Sequence, residues 1–325
     1  MNAPPPGLDE KDLLPHLTDA WGLRAPALTY AQLGFGAYHW IATEPGGDRY
    51  FITVHDLDAE PWLGDDRDAA FDGLGRAFVT ALTLHREGCL EFVAAPMPDH
   101  QGAAVRRVDD RYSLAVHPFL EGSTGDFGAP VAAEDLGSVV GLLARLHDAT
   151  ALVEPVALHR SFEVPDRAEI EEALAALGSP WAGGPFAERA RGWLEANAGG
   201  LMRLLATYDR LRERIESRAR PVITHGEPHQ GNLLWSDGRL LLIDWDTVSL
   251  APPERDLWLV NGGSAEVREM YSRISGREVD EAAIDFYAIG WQLTDAACFL
   301  QQFRNHHEAD ADAEFSWRVM SGWEL

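Results

Sequence analysis

The chain has 325 residues, with 27 basic against 52 acidic side chains and a formal net charge of −25. Such a polyanion is repelled by nucleic acid and by anionic lipid, so neither is an expected partner, whereas cationic small molecules are attracted. At 46% hydrophobic and 24% charged the composition is that of a folded chain, and the length suits two core-forming units or one domain with two lobes.

Only Cys89 and Cys298 are present, which predicts no disulfide framework. Both stand in apolar stretches and are expected as inert core residues. The first residues lack the basic and apolar pattern of a signal peptide, and no run is long enough to span a bilayer, so a cytoplasmic protein is expected. Lys11 is the only lysine. Any chemistry that needs a lysine therefore has one candidate.

Residues 1–24 read as a Pro-rich end and a short helix over 9–21. LTYAQLGFGAYHWIATE and RYFITVHDL then predict two strands joined by a PGGD turn. Helical periodicity with an acidic first turn marks a helix over 65–87. CLEFVAAPMP and AAVRRVDDRYSLAVHPFLEG predict three more strands, the last two joined across Asp109-Asp110. Residues 25–120 thus read as a small sheet carrying one helix. EGSTGDFGAP, at 121–130, is a Gly-rich linker. Helices are expected over 132–150, 201–219 and 282–303, the last largely buried. WSDGRLLLIDW reads as a hairpin turning at Asp237-Gly238. The expected class is α+β.

Chemistry concentrates at 224–246, where His225-Gly226-Glu227 is followed by Asn232 and by Asp244-Trp245-Asp246. In phosphoryl transfer a carboxylate orients the attacking hydroxyl and takes its proton, while an amide oxygen and a second carboxylate hold Mg²⁺. Glu227 and Asn232 stand at the offset of a kinase catalytic loop. The hairpin between Asn232 and Asp244 returns the second carboxylate to that loop.

The stretch HGEPHQGN…IDWD…ERDLW resembles the aminoglycoside phosphotransferase family, and its spectinomycin-phosphorylating branch most. The resemblance implies a two-lobed protein-kinase-like fold with a β-rich lobe at 25–120 and a mainly helical lobe at 121–325. It implies a catalytic loop at 224–232 and a metal motif at 244–246. Glu227 would be the base, His225 its brace, and Asn232, Asp244 and Asp246 the Mg²⁺ ligands. Asp256 would support the loop from below. Gly34 and Gly36 would cover the nucleotide phosphates, Thr53 would occupy the phosphate-binding position on its strand, and the chain from His117 to Phe119 would meet the base. ATP or GTP is the implied co-substrate. The acceptor would be a small cationic or sugar-containing molecule, with His229, Trp291 and Asp295 as candidate contacts.

This chain departs from the family pattern twice. Glu227 replaces the usual aspartate, and Thr53 stands where the strand lysine is expected; Arg49 and His55 are the nearby cationic alternatives. A degenerate kinase fold that binds nucleotide without turnover is the competing expectation. His306-His307 beside Glu308 reads as a solvated tail pair.

Overall fold

The structure, a computed structural model, describes residues 4–24, 26–34 and 36–323. Phe35 of the Gly34–Gly36 loop and part of the Pro-rich end lie outside the described residues.

The chain begins with α1 (Glu10–Trp21), closed at its start by the Asp12 carboxylate accepting the Asp9 N–H and at its end by Gly22 at φ 73°. Next come β1 (Ala27–Ala31), β2 (Tyr38–Thr43) and β3 (Arg49–Asp56), then α2 (Arg67–Arg86), β4 (Arg106–Arg107) and β5 (Tyr112–Pro118). The strands form one antiparallel five-stranded sheet in the order β1-β2-β3-β5-β4. Its two faces differ in kind. Trp40, Ile52, Val54, Leu114 and Val116 pack with Leu13 and Leu17 of α1 in one core. The other face carries Phe51, Thr53 and His55 opposite His117, Ala115 and Ser113. Phe78 of α2 meets the rings of His55 and His117 there.

Further along lie β6 (Ser123–Thr124), α3 (Ala133–Asp148), α4 (Thr150–Val153) and β7 (Leu158–His159). Helices α5 (Arg167–Ala175) and α6 (Ala187–Glu216) follow. The chain then forms β8 (Val222–Thr224), β9 (Leu233–Ser236), β10 (Arg239–Leu242), β11 (Ser249–Ala251), α7 (Glu254–Leu257) and α8 (Ala265–Ser275), and closes with α9 (Glu281–Arg304) and α10 (Ala311–Ser321). Hairpin β9–β10 turns at Asp237 and Gly238, both at positive φ, as its Asp-Gly sequence requires.

Two compact units result. One comprises residues up to 160 together with 220–279, and the other 161–219 with 280–325. The second is helical, with α9 packed on α5, α6 and α10 and Tyr208 stacked on Phe286 at 4.4 Å. Among the described residues, no helix is long and apolar enough to cross a membrane.

Two expectations need correction. CLEFVAAPMP forms no strand beyond one bridge, Val93 to Leu242. Pro96 and Pro98 lack the N–H groups a ladder needs, and the segment instead bonds alternately to β10 and β5 through Leu242 N to Phe92 O, Ala94 N to Leu242 O and Met97 N to Val116 O. Neither cysteine is a core residue; both are exposed. Cys89 sits at φ 51° in the turn after α2, and Cys298 falls on the open stripe of α9.

Candidate active site

β8 ends at Thr224 and delivers the loop His225–Asn232. The backbone N–H groups of His225 and Gly226 donate to the two Asp256 carboxylate oxygens at 2.9 and 2.6 Å. Gly226 lies at φ 102°, and a Cβ there would stand 2.2 Å from the Arg255 guanidinium. Glycine is thus demanded both by conformation and by space. The His225 ring sits edge-on to Trp245; its Nε2 donates to the Ile243 carbonyl at 2.9 Å, and its Nδ1 accepts the Glu227 N–H at 3.2 Å. That pattern is the neutral ring, and burial holds its pKa down at about 4. His225 therefore ties the loop to the segment that leads into Asp244 and braces the backbone at Glu227.

Asp256 is fully buried and has a third partner, Nε2 of His147 at 3.0 Å, while Nδ1 of His147 meets the Tyr271 hydroxyl at 2.7 Å. Burial pushes the Asp256 carboxyl up, but His147, His225 and Arg255 outweigh it and hold it below the ordinary carboxylate range.

A single helical turn, Gln230–Asn232, closes the loop. The Asn232 amide nitrogen donates to the Glu227 carbonyl at 3.0 Å and lies 3.4 Å from His229 Nε2. Its oxygen, Oδ1, makes no hydrogen bond to the described residues and is the atom left for a cation. Ile243 N donates to the Asn232 carbonyl at 3.1 Å, so Asp244 emerges directly beside the loop. Asp244 adopts φ 69°, a left-handed conformation uncommon outside glycine. Its side chain is open to solvent; the surrounding protein and the Glu60 charge raise its pKa against the opposing pull of His55. Asp246 is raised further, by burial and by Asp244, Glu60 and Glu227. These carboxylates repel one another, and the donor set suits a hard divalent cation.

His229 packs its ring edge-on to Phe127 at 4.7 Å, and its Nε2 stands 3.9 Å from Glu227 Oε2. Burial keeps it neutral, with a pKa near 4.

On the sheet, Thr53 and His55 are both buried on the α2 side. Nδ1 of His55 bonds to Glu60 Oε1 at 2.7 Å. Burial opposes a charge on this ring, but Glu60 and then Asp244 outweigh it and raise its pKa. Of the two cationic alternatives to the missing lysine, His55 therefore reaches the acidic cluster. Arg49 does not: it begins β3, pairs with Glu121 and stacks 4.0 Å over Phe119. His117 pairs with Phe51 in register and is pressed to a pKa of about 3 by burial, as is His39. Gly34 and Gly36 both lie at positive φ between β1 and β2, with Gly34 beside His39.

Trp291 and Asp295 belong to α9 in the other unit. Burial raises the Asp295 carboxyl to about 6, a hydrogen bond from Trp291 opposing it. His307 is structural: its Nε2 accepts the Phe186 N–H at 3.0 Å. His306 is exposed beside Glu308.

Two residues escaped the sequence reading. His147 lies four positions after Leu143 on the buried stripe of α3, and a histidine on an apolar stripe was the available signal. Glu60 sits in a turn with no motif around it, and nothing local marks it.

Residues 90–300 match the phosphotransferase enzyme family. Protein StrN of Streptomyces griseus is 29% identical over 269 residues, covering 79% of this chain and 77% of its own length. A spectinomycin phosphotransferase solved with ADP and spectinomycin superposes with a TM-score of 0.73 at 17% identity, over 97% of this chain and 94% of that one. An amicoumacin kinase solved with AMP-PNP, Ca²⁺ and its ligand gives a TM-score of 0.59 at 15% identity, over 97% and 92%. The α+β kinase-like fold is thereby established.

Proposed function

The chain belongs to the phosphotransferase enzyme family, and on that premise we propose that it transfers the terminal phosphoryl group of ATP or GTP to a hydroxyl of a small molecule. The observation that carries the reading is the link between Glu227 and Asn232 through the Asn232 amide, with Asp244 tied to the same loop by the Ile243 N–H. Glu227 is the general base. Its carboxylate accepts the hydroxyl proton as the acceptor oxygen bonds to the γ-phosphorus and the nucleoside diphosphate leaves. Asn232 Oδ1 and Asp244 hold Mg²⁺, with Asp246 in support. Bound there, Mg²⁺ would neutralise phosphate charge.

Gly34, Gly36 and Thr53 face the phosphates in this reading, and the stretch from His117 to Phe119 meets the base. The lobes divide near residue 120. His55, held by Glu60, supplies the positive charge that a strand lysine would otherwise bring. The acceptor is cationic or sugar-bearing, in the class of aminocyclitol and aminoglycoside antibiotics, with His229 as a contact. A net charge of −25 supports a cationic acceptor, and the spectinomycin bound by a structural relative supports an aminocyclitol. Resistance to such an antibiotic is the corresponding biological role.

Thermal shift with ATP and GTP, with and without Mg²⁺, tests the reading. Nucleotide should stabilise the wild type only when Mg²⁺ is present, and Asp244→Ala should abolish that shift while staying folded. An equal Mg²⁺-dependent shift in Asp244→Ala would remove the metal assignment. Nucleotide binding without transfer to any acceptor would favour the binding-module alternative.

A further inference from the structure

We propose that Phe127 selects the acceptor, its ring face receiving a saturated ring that bears an ammonium group, an assignment that rests on the phosphotransfer reading of the neighbouring loop. The Gly-rich segment after β5 is no free linker but a strap stitched to that loop. β6 pairs with β9, Ser123 opposite Trp235 and Thr124 opposite Leu234. Gly125 N donates to the Gln230 carbonyl at 3.1 Å, and Gln230 Nε2 donates to the Pro130 carbonyl at 3.1 Å. Val131 and Asn261 then exchange two bonds, Val131 N to Asn261 Oδ1 at 2.7 Å and Asn261 Nδ2 to the Val131 carbonyl at 3.1 Å. Glycine is required where strap meets loop and hairpin. A Cβ on Gly122 would stand 2.4 Å from the Trp235 carbonyl oxygen, and one on Gly125 would stand 2.7 Å from Gln230 Oε1.

Between these anchors residues 126–129 make one turn, closed by Ala129 N donating to the Asp126 carbonyl at 3.1 Å, with Gly128 at φ 80°. Phe127 stands at its crown. Such a position faces water and ordinarily carries a polar or small residue. Here it carries a phenyl ring that is 62% exposed. The ring meets His229 edge-on at 4.7 Å, and His229 Nε2 lies 3.9 Å from Glu227 Oε2. An aromatic surface is thus fixed in place, open to solvent and one imidazole away from the proposed base.

The chemistry of this surface selects its occupant. A phenyl face is electron-rich and attracts an ammonium group. The imidazole beside it is neutral, so no positive charge opposes a cation there. Negative charge stands on both sides, with Glu227 beyond His229 and the exposed Asp126 preceding Phe127 in the turn. The C–H face of a saturated ring would cover the apolar surface that Phe127 exposes, while its ammonium substituent gains from the ring and from the carboxylates. An anionic acceptor would be repelled. Leucine at 127 would still cover His229 but has no π face, and that difference separates recognition from packing.

Spectinomycin and kanamycin, titrated calorimetrically into the nucleotide-free full chain, test the assignment. The wild type should bind at least one of them. Phe127→Leu should weaken that binding roughly tenfold, and Phe127→Tyr, which restores the π face, should bind nearly as well as the wild type. Both variants should unfold at the wild-type temperature, because the ring is exposed. Equal binding by Phe127→Leu overturns the proposal. So does a loss shared by Phe127→Tyr, and so does a wild type that binds neither probe. Because binding is read without nucleotide, a protein that binds through Phe127 but transfers no phosphoryl group would overturn the phosphotransfer reading alone.

Discussion

The carboxylate beneath the loop His225–Asn232 and the carboxylates beside that loop are built from the same materials to opposite ends. Beneath the loop, Asp256 receives two backbone N–H groups and one imidazole, and its pKa falls despite complete burial. Beside the loop, Asp244 and Asp246 are raised, and His55 Nε2 and Glu60 Oε2 are left without hydrogen-bond partners. A carboxylate whose neighbours complete it holds the fold together. Carboxylates crowded together without such partners repel one another and cost stability, which is the usual condition of groups kept for chemistry.

Removing the completed carboxylate should have the largest effect. Asp256→Ala strands the His225 and Gly226 N–H groups and His147, and it should destabilise the protein by about 3–5 kcal/mol. Urea denaturation measures this, and a loss below about 1 kcal/mol would erase the contrast.

Asp295 sharpens the comparison from the other unit. Its folded pKa, raised to about 6 against an ordinary 3.8, means that the folded state holds the proton more tightly. Stability is then greatest with Asp295 protonated, declines as pH rises from 3.8 through 6, and is lowest above that window. Asp295→Asn should remove this decline and stabilise the protein by about 3 kcal/mol at pH 7.5. Parallel stability profiles of the two proteins between pH 4 and 7.5 would contradict it.

Smallest is the effect at Asp244. Asp244→Asn keeps the size and tolerates φ 69° but removes the repelled charge. A stability gain of about 0.5 kcal/mol or less, because solvent screens so exposed a carboxylate, should accompany loss of the Mg²⁺-dependent nucleotide shift. A destabilised variant would mean that Asp244 is held as firmly as Asp256.

What the sequence disclosed follows the same division. Hairpin β9–β10 was readable because Asp237-Gly238 encodes its turn locally, and the HGE…N…DWD order placed the loop beside the strand end. Strands β2, β3 and β5 were readable from β-branched and aromatic runs bounded by turn residues. Illegible were contacts made only by the assembled fold. Glu60 meets His55 through a turn with no signature, and His147 reaches Asp256 across 109 positions. The segment CLEFVAAPMP misled because its apolar pattern is strand-like while its prolines and its two-sided bonding to Leu242 and Val116 are not.

The central claim is that Glu227 takes the proton in a phosphoryl transfer, and one assay addresses it directly. Wild type and Glu227→Gln are incubated with ATP or GTP, Mg²⁺ and a panel of aminocyclitols, aminoglycosides and sugar-bearing antibiotics, and phosphorylated product is measured by mass spectrometry. The wild type should phosphorylate at least one acceptor, and Glu227→Gln should do so roughly 10²–10⁴-fold more slowly with acceptor binding nearly unchanged. Equal turnover by Glu227→Gln, or no product from the wild type with any acceptor, would contradict the account.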